Sequence, residues 1–90
     1  MKVYLCYTYD DNHERQLIKV IGDYQASRDW LHLRSDMIAN ANKMFARYLL
    51  AKKKDKSRVY HKYYEFRTAH GLWDSENPNS PFVHSWEVDE

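Results

Sequence analysis

The uninterrupted run from Ser27 to Lys54 constrains this chain most, because its apolar residues recur at helical spacing over a length that no other part of the sequence matches. Wound at about 3.6 residues per turn, it brings Trp30, Leu33, Met37, Ile38, Ala41, Met44, Phe45 and Tyr48 onto one face, the expected core side. Asp29, His32, Asp36, Asn40, Lys43, Arg47 and Lys54 take the solvated side. Ser27 is the expected N-cap, its hydroxyl accepting a backbone N–H one turn in, with Asp29 favouring the positive end of the helix dipole. Lys52, Lys53 and Lys54 suit the negative pole, and with no glycine after them the end can drift toward Ser57. Such a helix is about 40 Å long, against about 27 Å for a strand of about eight residues, so one end should overhang any sheet beneath it. Arg34 is the one charge within the apolar face. Its stem is expected along the core edge, with the guanidinium pairing to a carboxylate or reaching water.

Around this helix the chain reads in short elements. Lys2 to Tyr9 alternates, with Val3, Leu5, Tyr7 and Tyr9 on one side and Tyr4, Cys6 and Thr8 on the other, which predicts a strand. Asp10, Asp11, Asn12 and His13 are turn formers, and Leu17, Ile18, Val20 and Ile21 resume the apolar pattern, so the two runs predict a β-hairpin before Gly22 and Asp23. Residues Ser57 to Phe66 fit either period: Val59, Tyr63 and Phe66 share a helical face, while Tyr60, Lys62, Tyr64 and Phe66 share a strand face. A second short helix is the preferred reading, ended by His70 and Gly71. Asp74 to Pro81 is loop chemistry, and Phe82 to Val88 closes the chain as a strand with Phe82, Trp86 and Val88 on one face. The expected architecture is α+β: a three-stranded antiparallel sheet, first strand central, with the long helix across one face in two layers.

Ninety residues at 43% hydrophobic and 16% aromatic suffice for one small domain spanning 1–90 and one core, in which the eight tyrosines and three tryptophans are expected to supply bulk. No run spans a bilayer and no signal pattern stands at Met1, so the expectation is a soluble protein of the cytoplasm without membrane contact. The lone Cys6 excludes an intramolecular disulfide. Net charge is +1, but residues 1–36, 37–62 and 63–90 carry −1, +7 and −5. The acidic tail could therefore neutralise the basic middle internally.

Met1, Lys2, Val3 and Tyr4, then Gly22, Tyr24 and Ser27, then Trp86, Glu87, Val88, Asp89 and Glu90 together resemble a group of small uncharacterised phage and prophage proteins. Those begin with an M-K-V-Y-type strand, reach a Gly before an aromatic and a Ser-capped helix, and finish on an acidic-ended strand. Trp30 and residues 50–80 depart from that pattern. The resemblance implies a phage-type accessory protein, in the cytoplasm of a bacterial host, of a class that often works by binding a host component. It carries over no catalytic residue.

The five histidines lack paired ligand spacing, Cys6 sits mid-strand without a base, and two glycines cannot build a phosphate loop. No enzyme, metal or cofactor is expected. The candidate site is the basic, aromatic stretch from 47 to 67: Arg47, Lys52, Lys53, Lys54, Lys56, Arg58 and Lys62 for anionic groups, with Tyr60, Tyr63 and Tyr64 as anchors or stacking faces. The leading expectation is a non-enzymatic protein that binds and inhibits a host protein, for takeover or anti-defence. The alternative is a nucleic-acid-binding module. Leu50, Ala39 and Ala46, on the polar side of the long helix, offer a small surface for a homodimer.

Overall fold

The alternating first run and the run after the turn form an antiparallel hairpin, β1 (Lys2–Tyr9) and β2 (Arg15–Ile21). In this computed structural model, which describes residues 1–74 and 76–89, they are followed by α1 (Tyr24–Leu50), α2 (Lys56–Ala69) and β3 (Phe82–Glu87). Ser75 of the expected loop and Glu90 of the acidic end lie outside the described residues. β3 pairs antiparallel with the free edge of β1, so the sheet order is β2-β1-β3 and the first strand is central as expected. The fold is α+β, with α1 packed on one sheet face. The hairpin turn is held by Asp10, whose carboxylate accepts from the Asn12 and Glu14 backbone N–H groups at 2.9 and 3.0 Å and from Gln16 Nε2 at 2.8 Å. These bonds, that from Glu14 foremost, hold the Asp10 carboxyl below the usual carboxylate range. Ile18 has no partner on β1, a bulge that shifts the register between Cys6 and Tyr7.

The helix that covers the sheet lies on the Tyr4, Cys6 and Thr8 side of β1, where Cys6 and Thr8 are both 0% exposed. Burial pushes the Cys6 thiol above its ordinary pKa. The opposite side, Val3, Leu5, Tyr7 and Tyr9, faces away from the helix.

Three details of the long helix differ from expectation. It starts at Tyr24, capped by Asp23, whose carboxylate accepts from Ala26 N at 2.7 Å. Ser27 is instead inside the first turn, fully buried, and its Oγ donates back to the Tyr24 carbonyl. Asp and Ser are near-equal caps, and the buried position of residue 27 accepts only a small side chain against the sheet. The helix ends at Leu50 rather than Lys54, because Ala51 takes an extended conformation. The inward stripe is Ser27, Arg34, Ile38 and Ala41, so Leu33, placed in the core by periodicity, is 60% exposed. A helix crossing a narrow sheet buries a stripe, not half a cylinder.

The overhang is real, and α2 covers it. Of the two readings for the stretch from Ser57 to Phe66 the helical one holds, and the helix, Lys56–Ala69, is longer than that stretch and packs on the C-terminal half of α1. Ile38, Ala41, Tyr63 and Leu72 form the buried core there, with Met37, Met44 and Phe66 against it. The aromatics serve this core only in part: Tyr63 is buried, but Tyr9, Tyr24, Tyr60, Tyr64 and Trp86 remain exposed. The molecule is drawn out to 60 × 25 × 18 Å, with a radius of gyration of 15.9 Å against about 12 Å for a compact chain of this length.

Two devices fasten the segment after α2. At the helix end the Leu72 N–H bonds to the Arg67 carbonyl at 2.9 Å and the Gly71 N–H to that of Thr68 at 3.2 Å, a Schellman pair. It needs the positive φ of 61° that Gly71 supplies. Gly71→Ala is expected to destabilise by about 1–2 kcal/mol from backbone strain alone, since a Cβ there meets nothing within 4 Å. Urea unfolding measures this, and an unchanged midpoint would contradict it. The second device is Arg34, which is 5% exposed and reaches Glu76, itself 4% exposed, through Nε at 3.2 Å and Nη2 at 3.1 Å. Its remaining donors go to the carbonyls of His70 and Gly71, while Glu76 also accepts from Thr8 Oγ1 and Trp73 N. The charge in the apolar face thus pairs with a carboxylate, one of the two outcomes expected from its position in the helix.

Candidate functional site

The basic stretch folds into the tip and outer half of the α1–α2 hairpin. No glycine or proline interrupts residues 56–69, and Val59, Tyr63 and Phe66 form the stripe that α2 lays on α1. Lys56 closes the turn between the helices. Its Nζ donates to the Tyr48 and Leu49 carbonyls at 3.3 and 3.4 Å, satisfying the glycine-free end of α1, and stands 5.0 Å from the centre of the Tyr48 ring.

A seam of rings joins the helices: Phe45 to Tyr63 at 5.3 Å, Tyr48 to Tyr60 at 5.1 Å and Tyr60 to Tyr63 at 5.9 Å between centroids. Tyr63 donates its hydroxyl to Asp74 at 3.1 Å, and burial together with that bond pushes its pKa up. Arg67 pairs with the same carboxylate at 2.8 Å and lies 5.6 Å from the centres of both the Tyr63 and Tyr64 rings.

The ten candidate residues therefore separate. Tyr63 is a core residue at 5% exposure and is not presented to a partner. Lys56 is committed to the end of α1, and Arg58 sits 3.4 Å from Asp55 in an exposed pair of little strength. Tyr60 and Tyr64 are exposed, but their rings are already in contact with Tyr48, Tyr63 and Arg67. Arg47, Lys52, Lys53, Lys54 and Lys62 are exposed, and among the described residues none of them has a carboxylate partner. Arg47 and Lys62 line an open cleft of about 180 Å³ with Met44 and Val59. Ser57, Tyr60, His61 and Tyr64 line another of about 300 Å³.

The carboxylates expected to neutralise this patch are engaged with other groups, two of them, Glu65 and Asp74, at α2 itself. Glu65 bonds His61, Asp74 bonds Arg67, Glu76 bonds Arg34, and Glu87 stands 3.5 Å from the Met1 amino group. Lys2 is opposite Glu87 and Tyr4 touches Tyr24, so the end of β3 sits beside the start of α1. The three lysines follow the far end of that helix, about 40 Å away at 1.5 Å per residue. The acidic segment 63–90 is thus divided: Glu65 and Asp74 pair with His61 and Arg67 of the hairpin, while Glu87 lies at the pole opposite the three lysines.

Sequence reasoning singled out Arg34 but not its partner Glu76, nor Thr8, which donates to the same carboxylate, and no local signal exists for either. It also left the outer sheet face unassigned, although the apolar alternation of β1 was visible. Among the described residues no three His, Cys, Asp or Glu side chains gather to hold a metal ion, and no helix is long and apolar enough to cross a membrane. Leu50, offered for a homodimer, is 87% exposed at the hairpin tip. Comparison with known proteins finds no matching family model, no matching curated protein and no matching solved structure.

Proposed function

We propose that this chain is a non-enzymatic, phage-type accessory protein that binds an acidic surface of a host protein through the basic end of its helical hairpin. The observation that supports this is the set of five exposed cations, Arg47, Lys52, Lys53, Lys54 and Lys62, left without carboxylate partners among the described residues. Cations at the end of a long rigid helix speed encounter with an oppositely charged surface, and Tyr60 and Tyr64 beside them supply apolar contact area. Occupation of that acidic surface is how the chain would inhibit its host target in the cytoplasm.

The test is capture from bacterial lysate with the immobilised chain and with Lys52→Glu/Lys53→Glu/Lys54→Glu. One acidic protein retained at stoichiometric level by the unaltered chain, and bound about tenfold or more weakly by the variant, is the expected result, with affinity falling as salt rises. Equal retention by both proteins would remove the hairpin end from the reading.

A second reading, nucleic-acid binding, draws on the same unpaired cations. The mutual packing of the tyrosines argues against it, since single-strand binders offer open ring faces to the bases. Titration of labelled single- and double-stranded oligonucleotides at about 50 mM salt separates the two, because about five phosphate contacts would give a log–log salt slope near −3.5 on a single strand. Tight binding with that slope would favour nucleic acid over protein.

A further inference from the structure

At the pole away from the basic hairpin, the first turn of α1 and the adjoining ends of β1 and β3 bound an open cleft of about 340 Å³. Strand register sets what lines it. Lys2, Tyr4 and Cys6 stand opposite Glu87, Ser85 and Val83, so Tyr4, Val83 and Ser85 form its floor on the helix-covered side of the sheet, with Lys2 at the strand end. Tyr24 and Arg28 form the wall, and the Tyr4 and Tyr24 rings meet edge to face at 5.7 Å. No carboxylate of the described residues lines the cleft.

The observation that points to a ligand is Arg28. Of the arginines, only Arg28, Arg34 and Arg67 are withdrawn from solvent in whole or in part. Arg34 bonds Glu76 at 3.1 Å and Arg67 bonds Asp74 at 2.8 Å, whereas Arg28 has no carboxylate partner among the described residues. A guanidinium partly removed from water without a counter-charge is unfavourable, and an anion in the cleft relieves it. Lys2 lacks a carboxylate in the same way. Glu87, opposite it on β3, stands 3.5 Å from the Met1 amino group, and Asp23 at the start of α1 accepts the Ala26 N–H at 2.7 Å.

The lining also says which anion fits. Lys2 and Arg28 bring two positive charges to one cleft, and a phosphomonoester brings about −1.5 to −2 at pH 7 with three acceptor oxygens, against a single charge and two oxygens on a carboxylate. Arginine supplies a planar fork of donors and lysine a point charge, while the hydroxyls of Tyr4, Tyr24 and Ser85 can donate to the remaining lone pairs. The volume stands at the small end of the roughly 300–1,000 Å³ typical of small-molecule sites. We propose that this cleft binds the phosphate group of a small phosphomonoester, held by Arg28 and Lys2. The site is independent of what the lysines at the far end of α1 bind.

Titration of the full, nitrogen-15-labelled chain with adenosine monophosphate, glucose 6-phosphate, inorganic phosphate and adenosine tests this, followed by amide chemical shifts at about 50 mM salt. The expected result is saturable shifts at Lys2, Tyr4, Tyr24, Arg28 and Ser85 with at least one of the two esters, at a Kd below about 1 mM, and none with adenosine. The ester that binds more tightly tells a nucleotide from a sugar phosphate as the source. Lys2→Gln/Arg28→Gln should weaken that binding at least about tenfold with an unchanged far-ultraviolet circular dichroism spectrum, since two charge-assisted contacts are lost. Lys2→Gln alone, at an exposed position, is the second variant should the first lose its fold, with a loss of at least about threefold expected. Ester binding weaker than about 1 mM would overturn the proposal. So would adenosine binding as tightly as its monophosphate, or variants that keep full affinity. Shifts confined to Lys52, Lys53, Lys54 and Lys62 would equally overturn it, assigning the anion to the hairpin end.

Discussion

Glu76→Ala should lower the melting temperature by about 15–30 °C and leave much of the population unfolded under mild conditions. Arg34 and Glu76 are 5% and 4% exposed, and removing the carboxylate strands a guanidinium in an apolar setting, which costs about 3–5 kcal/mol in comparable buried pairs. In a domain of this size each kcal/mol shifts the midpoint by about 4–8 °C. The loss also releases the loop, because Glu76 accepts from Trp73 N and Thr8 Oγ1 and so ties the segment after α2 to the central strand. Arg34→Met/Glu76→Leu is expected to recover part of this stability, since it leaves no unpaired charge, though it still orphans Thr8 and the His70 and Gly71 carbonyls. Thermal melts of the three proteins followed by circular dichroism provide the comparison. A single variant that melts within a few degrees of the unaltered chain would show that the pair is dispensable.

Ile38→Ala is expected to cost about 2–5 kcal/mol, and Leu33→Ala less than about 0.5 kcal/mol. Periodicity puts both leucine and isoleucine on the core face of the helix, yet Ile38 is 1% exposed and Leu33 is 60% exposed. Ile38 belongs to the cluster with Ala41, Tyr63 and Leu72, where the sheet-covering half of α1 gives way to the half covered by α2. Under the sheet the fully buried side chains are Cys6, Thr8 and Ser27, which are small or polar and add little apolar area. Most of the hydrophobic stabilisation is therefore concentrated around Ile38, and the two parts of this elongated molecule should unfold together when it is truncated. Urea denaturation decides the point: equal midpoints for the two variants would sink this account of where the core lies.

What could be read from the residues alone was local. The β1–β2 hairpin, the long helix, the stop at His70 and Gly71 and the closing strand all follow from periodicity and turn chemistry, which act over a few residues, whereas residues 57–66 fitted both periods and packing on α1 made them a helix. Arg34 was also legible, because a charge at helical spacing within an apolar stripe has few places to go. The choices that tertiary structure made involve partners distant in sequence. Thr8 meets Glu76 across 68 residues and Arg34 meets it across 42, and this triad holds α1 against the Cys6 and Thr8 side of the sheet. Val3, Leu5, Tyr7 and Tyr9 are left outside as a result, although their alternation is the more apolar of the two. Asp23 displaced Ser27 as the cap for a related reason: two residues of similar capping strength stood within one turn, and only burial against the strands decided between them. Charge followed the same rule, since composition counts carboxylates without placing them, and only the pairing of β3 with β1 carried Glu87 to the pole opposite Lys52, Lys53 and Lys54.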